Sequence, residues 1–213
     1  GSFRVIEGVL ELGKNPGVDA VGVGVNLAAG VGNDVGGQNA DVIRWLQDEQ
    51  LPTGATLQIV SSGLADLNGK TETLQSSAVN GVVVTLNYAV GARARIANGN
   101  LILGGANDFS NVAIATGTGS ANMVANTPGA VIEASLNLGG GRRQFNVADT
   151  PAVLIEGEIS GVISNGQVQK LGTAATLLLA NNANSYTGFD EVQSIPVTVD
   201  GNSIDVGTGP IRV

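Results

Sequence analysis

The fold class predicted by this sequence is all-β, a right-handed parallel β-helix, and two observations point to it. Short aliphatic runs of β type recur along almost the whole chain, and Gly, Asn and Asp break them at corner-like intervals. The composition agrees. Hydrophobic residues make up 43% but aromatics only 3%, so the core must be built from Val, Leu, Ile and Ala. Gly numbers 32, about twice the usual share of roughly 7%. A β-sandwich usually brings aromatic core residues and antiparallel hairpin turns, and both are scarce here. Short strands, Gly/Asn corners and a slender aliphatic core fit a solenoid better.

The runs follow in order. Val5 to Leu12 reads V-I-E-G-V-L-E-L, and Val21 to Leu27 follows the turn-rich Gly13 to Gly17. Further strands are expected at Thr56–Val60, Val82–Leu86, Asn100–Leu103, Val112–Ala115, Val131–Leu138, Gln144–Val147 and Val153–Ile159. The last group is Thr176–Leu179, Ile195–Val199 and Ser203–Val206. Only Asn80-Gly81 has the signature of a tight hairpin. One segment departs from the β pattern. Asn39 to Gln50 reads N-A-D-V-I-R-W-L-Q-D-E-Q and stops before Pro52. Asn39 suits an N-cap, Asp41 suits the first turn, and Val42, Ile43, Leu46 and Gln50 share one helical face. The pattern predicts a short helix near 39–50, with Trp45 as its packing anchor.

From Leu171 the chain reads L-G-T-A-A-T-L-L-L-A-N-N-A-N-S-Y-T-G, ending at Gly188. With Lys170 before it, this resembles the autotransporter-associated β-strand repeat, also called the passenger-associated transport repeat. The positions that carry the resemblance are Lys170, Gly172, Thr176, Leu177, Leu179, Asn184, Tyr186, Thr187 and Gly188. Ala175 and Asn182 stand where the family usually has Gly, Asn202-Ser203-Ile204 replaces its G-T-L, and residues 189–196 lengthen the return. A weaker echo runs from Asn98 to Asn111 through Gly99, Leu101, Leu103, Gly105, Asn107 and Phe109. Val31 to Gln50 resembles the family's helical insertion, and Ser62 to Gly69 its strand turn. Both Val5–Gly13 and Val199–Gly207 resemble the tail of the motif.

The resemblance implies a single β-helix domain over 1–213, about one period of a tandem array. At the family's roughly 20 residues per coil that means about ten coils, and at about 4.8 Å per coil a rod of roughly 50 Å. Gly1-Ser2 reads as a cloning scar. In the motif, Gly supplies left-handed corners, Thr-Leu-x-Leu points two Leu inward, Asn tolerates left-handed corners and stacks in ladders, and Tyr186 caps the interior with its hydroxyl wet.

Chemistry is harder to find. The net charge is −8, and the 10 basic residues are scattered except for Arg93/Arg95 and Arg142/Arg143. Nucleic acid and an anionic membrane are therefore poor partners. Cys and His are both absent, which removes thiol chemistry, Cys/His zinc sites and Ser–His nucleophiles. No run approaches the roughly 20 apolar residues of a membrane helix. Glu156 and Glu158 read as a solvated strand face, as do Glu7 and Glu11, and Arg142-Arg143 after three glycines as a surface turn. Gly36 to Ile43 loosely matches a calcium-binding nonapeptide, but in a single copy, and Gly22-Val-Gly24 lacks the rest of a nucleotide fingerprint.

The reading is a non-enzymatic, structural and adhesive passenger segment at a bacterial cell surface or outside the cell, with no cofactor and no metal. Its expected partners are neighbouring repeats of the same parent chain, with exposed Asn, Thr and Ser rows free to meet glycans or another cell. The alternatives are a carbohydrate-active β-helix enzyme and a calcium-stabilised adhesion module.

Overall fold

A computed structural model of the chain describes residues 2–21, 27–32, 37–88, 92–116, 129–150, 153–172, 174–186, 190–192 and 211–212. Every strand pairing among them is parallel. No helix occurs among the described residues. The strands are β1 (Ser2–Val5), β2 (Gly8–Leu12), β3 (Ala28–Val31), β4 (Asp41–Trp45), β5 (Thr56–Val60), β6 (Leu64–Asp66) and β7 (Thr71–Leu74). They continue as β8 (Val82–Tyr88), β9 (Ala94–Ala97), β10 (Asn100–Leu103), β11 (Asn111–Thr116), β12 (Ala130–Ile132), β13 (Ser135–Asn137) and β14 (Arg142–Val147). The last are β15 (Gly157–Ile159), β16 (Ile163–Ser164), β17 (Gln167–Leu171), β18 (Leu177–Leu179), β19 (Asp190–Val192) and β20 (Ile211–Arg212).

These strands form three sheets. Sheet A runs β1-β3-β5-β8-β11-β14-β17-β19-β20, sheet B runs β18-β15-β12-β9-β6-β4-β2, and sheet C runs β16-β13-β10-β7. From β1 to β6 the chain alternates between A and B, and from β8 to β16 it visits A, B and C in fixed rotation. Long parallel sheets visited in this way are compatible with a β-solenoid.

Period-two alternation sends one side chain in two into the interior. In sheet A one inward row reads Phe3, Ala29, Leu57, Val84, Val112 and Phe145. The next reads Val5, Val31, Ile59, Leu86, Ile114 and Val147. All but Phe3 and Val5, on the edge strand β1, are buried in one continuous apolar core. Each fully buried Val, Leu or Ile contributes about 1.5–3 kcal/mol, so aliphatic stacking compensates for the lack of aromatics. Neighbours in a row are farther apart in sequence than the expected roughly 20 residues. Ala29 faces Leu57, and Val112 faces Phe145. Circuits with two or three strands, each followed by a corner, need the extra length.

The helix expected near 39–50 is a strand. Asp41–Trp45 forms β4, held between β2 and β6, with Gly8 opposite Asp41 and Val42 opposite Leu64. Asn39 has φ 62°, a left-handed corner rather than the extended backbone of an N-cap. Val42, Ile43 and Trp45 are β-formers that bury both faces of the sheet, and ladder pairing with two neighbours outweighs a weak helical period. Asn80-Gly81 makes no hairpin. Asn80 (φ 58°) turns the corner from sheet C to sheet A, between strands that do not pair. Val5–Leu12 divides into β1 and β2, and Val131–Leu138 lies across β12 and β13, each pair on two different sheets. Most of Val21–Leu27, and all of Ile195–Val199 and Ser203–Val206, lie outside the described residues.

Candidate functional site

The polar groups that distinguish this stack lie inside it, at its corners. Glu72 in β7 is fully buried. Its Oε2 accepts hydrogen bonds from Trp45 Nε1 (2.6 Å) and from the backbone N–H groups of Gln50 (2.8 Å) and Leu51 (3.3 Å). Trp45 is thus a packing anchor, and also a donor that reaches one circuit ahead. Gln50, buried as well, accepts from Lys14 N and donates to Lys14 O, tying the 13–15 turn to the same corner. Burial pushes the Glu72 carboxyl up to about 7, against the pull of the three N–H donors, and Glu49 adds to the upward shift.

Arg143 is the cationic counterpart. Expected in a surface turn, it lies in β14 and is fully buried. Its guanidinium reaches back into the corner between β10 and β11, donating to the carbonyls of Leu103 (3.0 Å), Gly105 (2.8 Å), Ala106 (2.6 Å) and Phe109 (3.2 Å). The preceding glycines make room for it. A Cβ on Gly141 would lie 2.6 Å from Arg143 Nη1. Burial presses the Arg143 pKa below the ordinary arginine value, and the nearby Asp108 opposes that shift. Arg142 stays on the outer side, in a bidentate pair with Asp108.

Glu156, expected on a solvated face, is also buried. It accepts from Thr176 N at 2.6 Å and Thr150 N at 3.3 Å, and burial raises its pKa in spite of these bonds. Glu158 alone occupies the partly exposed outer face of β15, so the two acids do not form a pair. Lys170 takes the next place in the row of sheet A after Phe145, with its Nζ donating to Gly172 O at 2.7 Å. Burial lowers its pKa.

The motif residues take structural positions. Gly172 has φ 101°, and a Cβ there would meet Val147 O at 2.0 Å, so no side chain fits. Thr176 donates its N–H to Glu156. Leu177 and Leu179 pack against the core from β18, half-buried because that strand ends sheet B. Asn184 is buried and accepts from Ile163 N at 2.8 Å. Tyr186 is fully buried, without the wet hydroxyl expected of it. Thr187 and Gly188 lie outside the described residues. In the weaker echo, Leu101 and Leu103 of β10 both point into the core. Ser62–Gly69 forms β6 and a left-handed Asn68-Gly69 corner, which Asn98 repeats one circuit later.

On the outer face of sheet B, charges bridge successive strands. Arg44 donates to Asp66 at 2.9 Å and lies 3.6 Å from Glu11, and Asn98 donates to Asp66 at 3.1 Å. Burial pushes the Asp66 carboxyl up, but hydrogen bonds from Arg44, Asn98 and the Asn68 N–H outweigh it and hold the group below its ordinary value. Arg95 of β9 pairs with Glu133, the residue that follows β12. Asp41, the acid of the calcium-like stretch, is buried in β4 opposite Gly8. Among the described residues no group of three or more Asp or Glu is placed to hold a metal ion, and no helix is long and apolar enough to cross a membrane.

Sequence reasoning missed the buried roles of Glu72, Arg143 and Glu156. One signal was present: Thr71-Glu72-Thr73-Leu74 alternates, and its inward positions are Glu72 and Leu74. No family model, curated protein or solved structure matches the chain.

Proposed function

We propose that the chain is a structural, adhesive segment of a bacterial surface or autotransporter-like protein, a right-handed β-helix that serves as a stalk or spacer. What supports this most is how its charges are used. Glu72, Arg143 and Glu156 are all turned inward onto backbone groups at corners, and Arg44, Asp66, Arg95 and Glu133 tie one strand to the next. Such an arrangement stiffens a stack, whereas a carbohydrate-active site needs acids that meet in a groove. The strong right-handed preference of parallel crossovers supports right-handed winding. Outward Asn100, Ser135 and Asn137 on sheet C would give glycans or a neighbouring cell polar side chains to meet. Contact along such a rod would act by avidity, with no bond made or broken.

Small-angle scattering on the purified chain, with sedimentation as a mass check, tests the spacer reading. The expected result is a monomeric rod about 40–50 Å long, clearly longer than wide. A near-spherical envelope would overturn it.

A further inference from the structure

We propose that Asn80 is a site of spontaneous covalent modification: the Asn80-Gly81 pair closes to a cyclic imide and reopens as aspartate or isoaspartate, while the other Asn-Gly pairs of the chain are held against it. This chemistry does not depend on the stalk reading.

The chain carries Asn-Gly at 68–69, 80–81, 98–99 and 165–166. In the reaction the Gly backbone nitrogen attacks the side-chain carbonyl carbon, Cγ, of the asparagine. A C–N bond forms there, the bond from Cγ to Nδ2 breaks, and Nδ2 leaves as ammonia with the proton that the Gly nitrogen gives up. One water from the solvent then opens either C–N bond of the imide, giving aspartate or, with the main chain routed through Cβ, isoaspartate. Glycine favours the closure because it lacks a Cβ to crowd its nitrogen and restricts the backbone least. The nitrogen and Cγ must still come into attacking distance, which requires a side chain and a corner that are free to turn.

Local structure does not separate the pairs. Asn68, Asn80, Asn98 and Asn165 are all exposed, and all occupy left-handed corners, with φ of 49°, 58°, 58° and 55°. What separates them is the circuit behind each corner. Asn68 Nδ2 donates to Trp45 O at 3.0 Å, Asn98 Nδ2 to Asp66 Oδ1 at 3.1 Å, and Asn165 Nδ2 to Asn137 Oδ1 at 3.0 Å. Each of these side chains reaches back one circuit and must give up that bond before Cγ can swing onto the Gly nitrogen. Their glycines are held as well. Gly69 N donates to Asn98 O, and a Cβ would lie 2.4 Å from Leu67 Cβ on Gly99 and 2.4 Å from Gly141 O on Gly166.

Asn80 has no such corner behind it. It turns the chain from sheet C to sheet A, and β7 is the first strand of sheet C, so the preceding circuit offers no equivalent turn. Its side chain makes no hydrogen bond among the described residues. Its backbone N–H donates forward to Asp108 O at 2.8 Å, and Gly81 N is tied only within the corner, to Ala78 O at 3.1 Å. That local bond can open without disturbing a neighbouring circuit. Val79 beside it is 62% exposed, so no packed side chain pins the turn.

The test incubates the intact folded chain in mildly alkaline buffer, digests timed samples at acidic pH and maps each Asn-Gly peptide by mass spectrometry. An isoaspartate-specific methyltransferase gives a second readout. The expected result is conversion at Asn80 at least about fivefold faster than at Asn68, Asn98 or Asn165, the weight of one side-chain hydrogen bond. In concentrated urea, where the tertiary ties are gone, the rates should converge. Asn137→Ala, which removes the partner of Asn165, should raise conversion at Asn165. Conversion at Asn80 no faster than at the other pairs in the folded chain, a spread of rates that persists in urea, or an Asn165 rate unmoved by Asn137→Ala would overturn the proposal. The natural chain, folded and in urea, decides the matter even if Asn137→Ala does not fold.

Discussion

Glu72 and Arg143 carry opposite charges and solve the same problem in mirror fashion. Each sits near the start of an interior-facing strand, is fully buried, and reaches back to a corner of an earlier circuit. Glu72 collects N–H donors from 45–51, and Arg143 collects carbonyls from 103–109. Corners of a parallel stack leave backbone groups that no ladder can satisfy, and in a dry interior each unpaired group costs about 1–3 kcal/mol. A carboxylate suits orphan N–H groups, and a guanidinium with five donors suits orphan carbonyls. The difference is in titration. Arg143 keeps its charge at any ordinary pH, whereas Glu72 changes charge near neutrality. One corner is held by a fixed charge, and the other by a carboxyl that burial pushes up to about 7.

The largest test of this comparison is Arg143→Met. It fills the space but strands the carbonyls of Leu103, Gly105, Ala106 and Phe109, and chemical denaturation should show a loss of about 3–5 kcal/mol. Arg143→Lys should recover only part of it, because an ammonium cannot fan out over four acceptors. Recovery to natural stability with Lys would mean that charge alone, not the guanidinium fork, holds the corner.

Next in size is the pH dependence of stability. The folded value of Glu72 is raised above its ordinary 4.5 to about 7, so the folded state binds more protons between those limits. Stability from this group is therefore fully present below about 4.5 and declines as pH rises toward about 7, levelling off above it. The shift at Glu156 has the same sign. Urea midpoints should fall from pH 5 to pH 8 by the equivalent of about 2 kcal/mol, and most of that fall should vanish in Glu72→Gln. A midpoint that rises over this range would break the contrast with Arg143.

The smallest effect belongs to charges outside the core. Arg95 and Glu133 are only partly buried, and Glu133→Gln should change stability by no more than about 1 kcal/mol. A larger loss would mean that the outer ladder of sheet B, and not only the corner devices, carries the stack.

Several elements were legible in the sequence because they are local. Thr56–Val60 and Asn100–Leu103 coincide with β5 and β10, since alternation bounded by Gly or Asn is enough to define a short strand. Val131–Leu138 was read as one strand because its apolar pattern continues through Ala134, which is buried at the corner where the chain changes sheets. Asn39 to Gln50 reads as a helix because its apolar positions fit a helical period as well, and the pairing of Asp41–Trp45 as a strand depends on β2 and β6, 33 and 22 residues away in register.

The sequence by itself determined an all-β chain with an aliphatic core and Gly/Asn corners, because composition and period-two patterning need no distant partner. Only the tertiary structure decided which side of the chain each charge would face. Glu72 and Glu156 look like surface acids in a string of letters, and Arg143 like a surface base. They are interior because neighbouring circuits present them with unpaired backbone groups, and that supply exists only once the circuits are stacked.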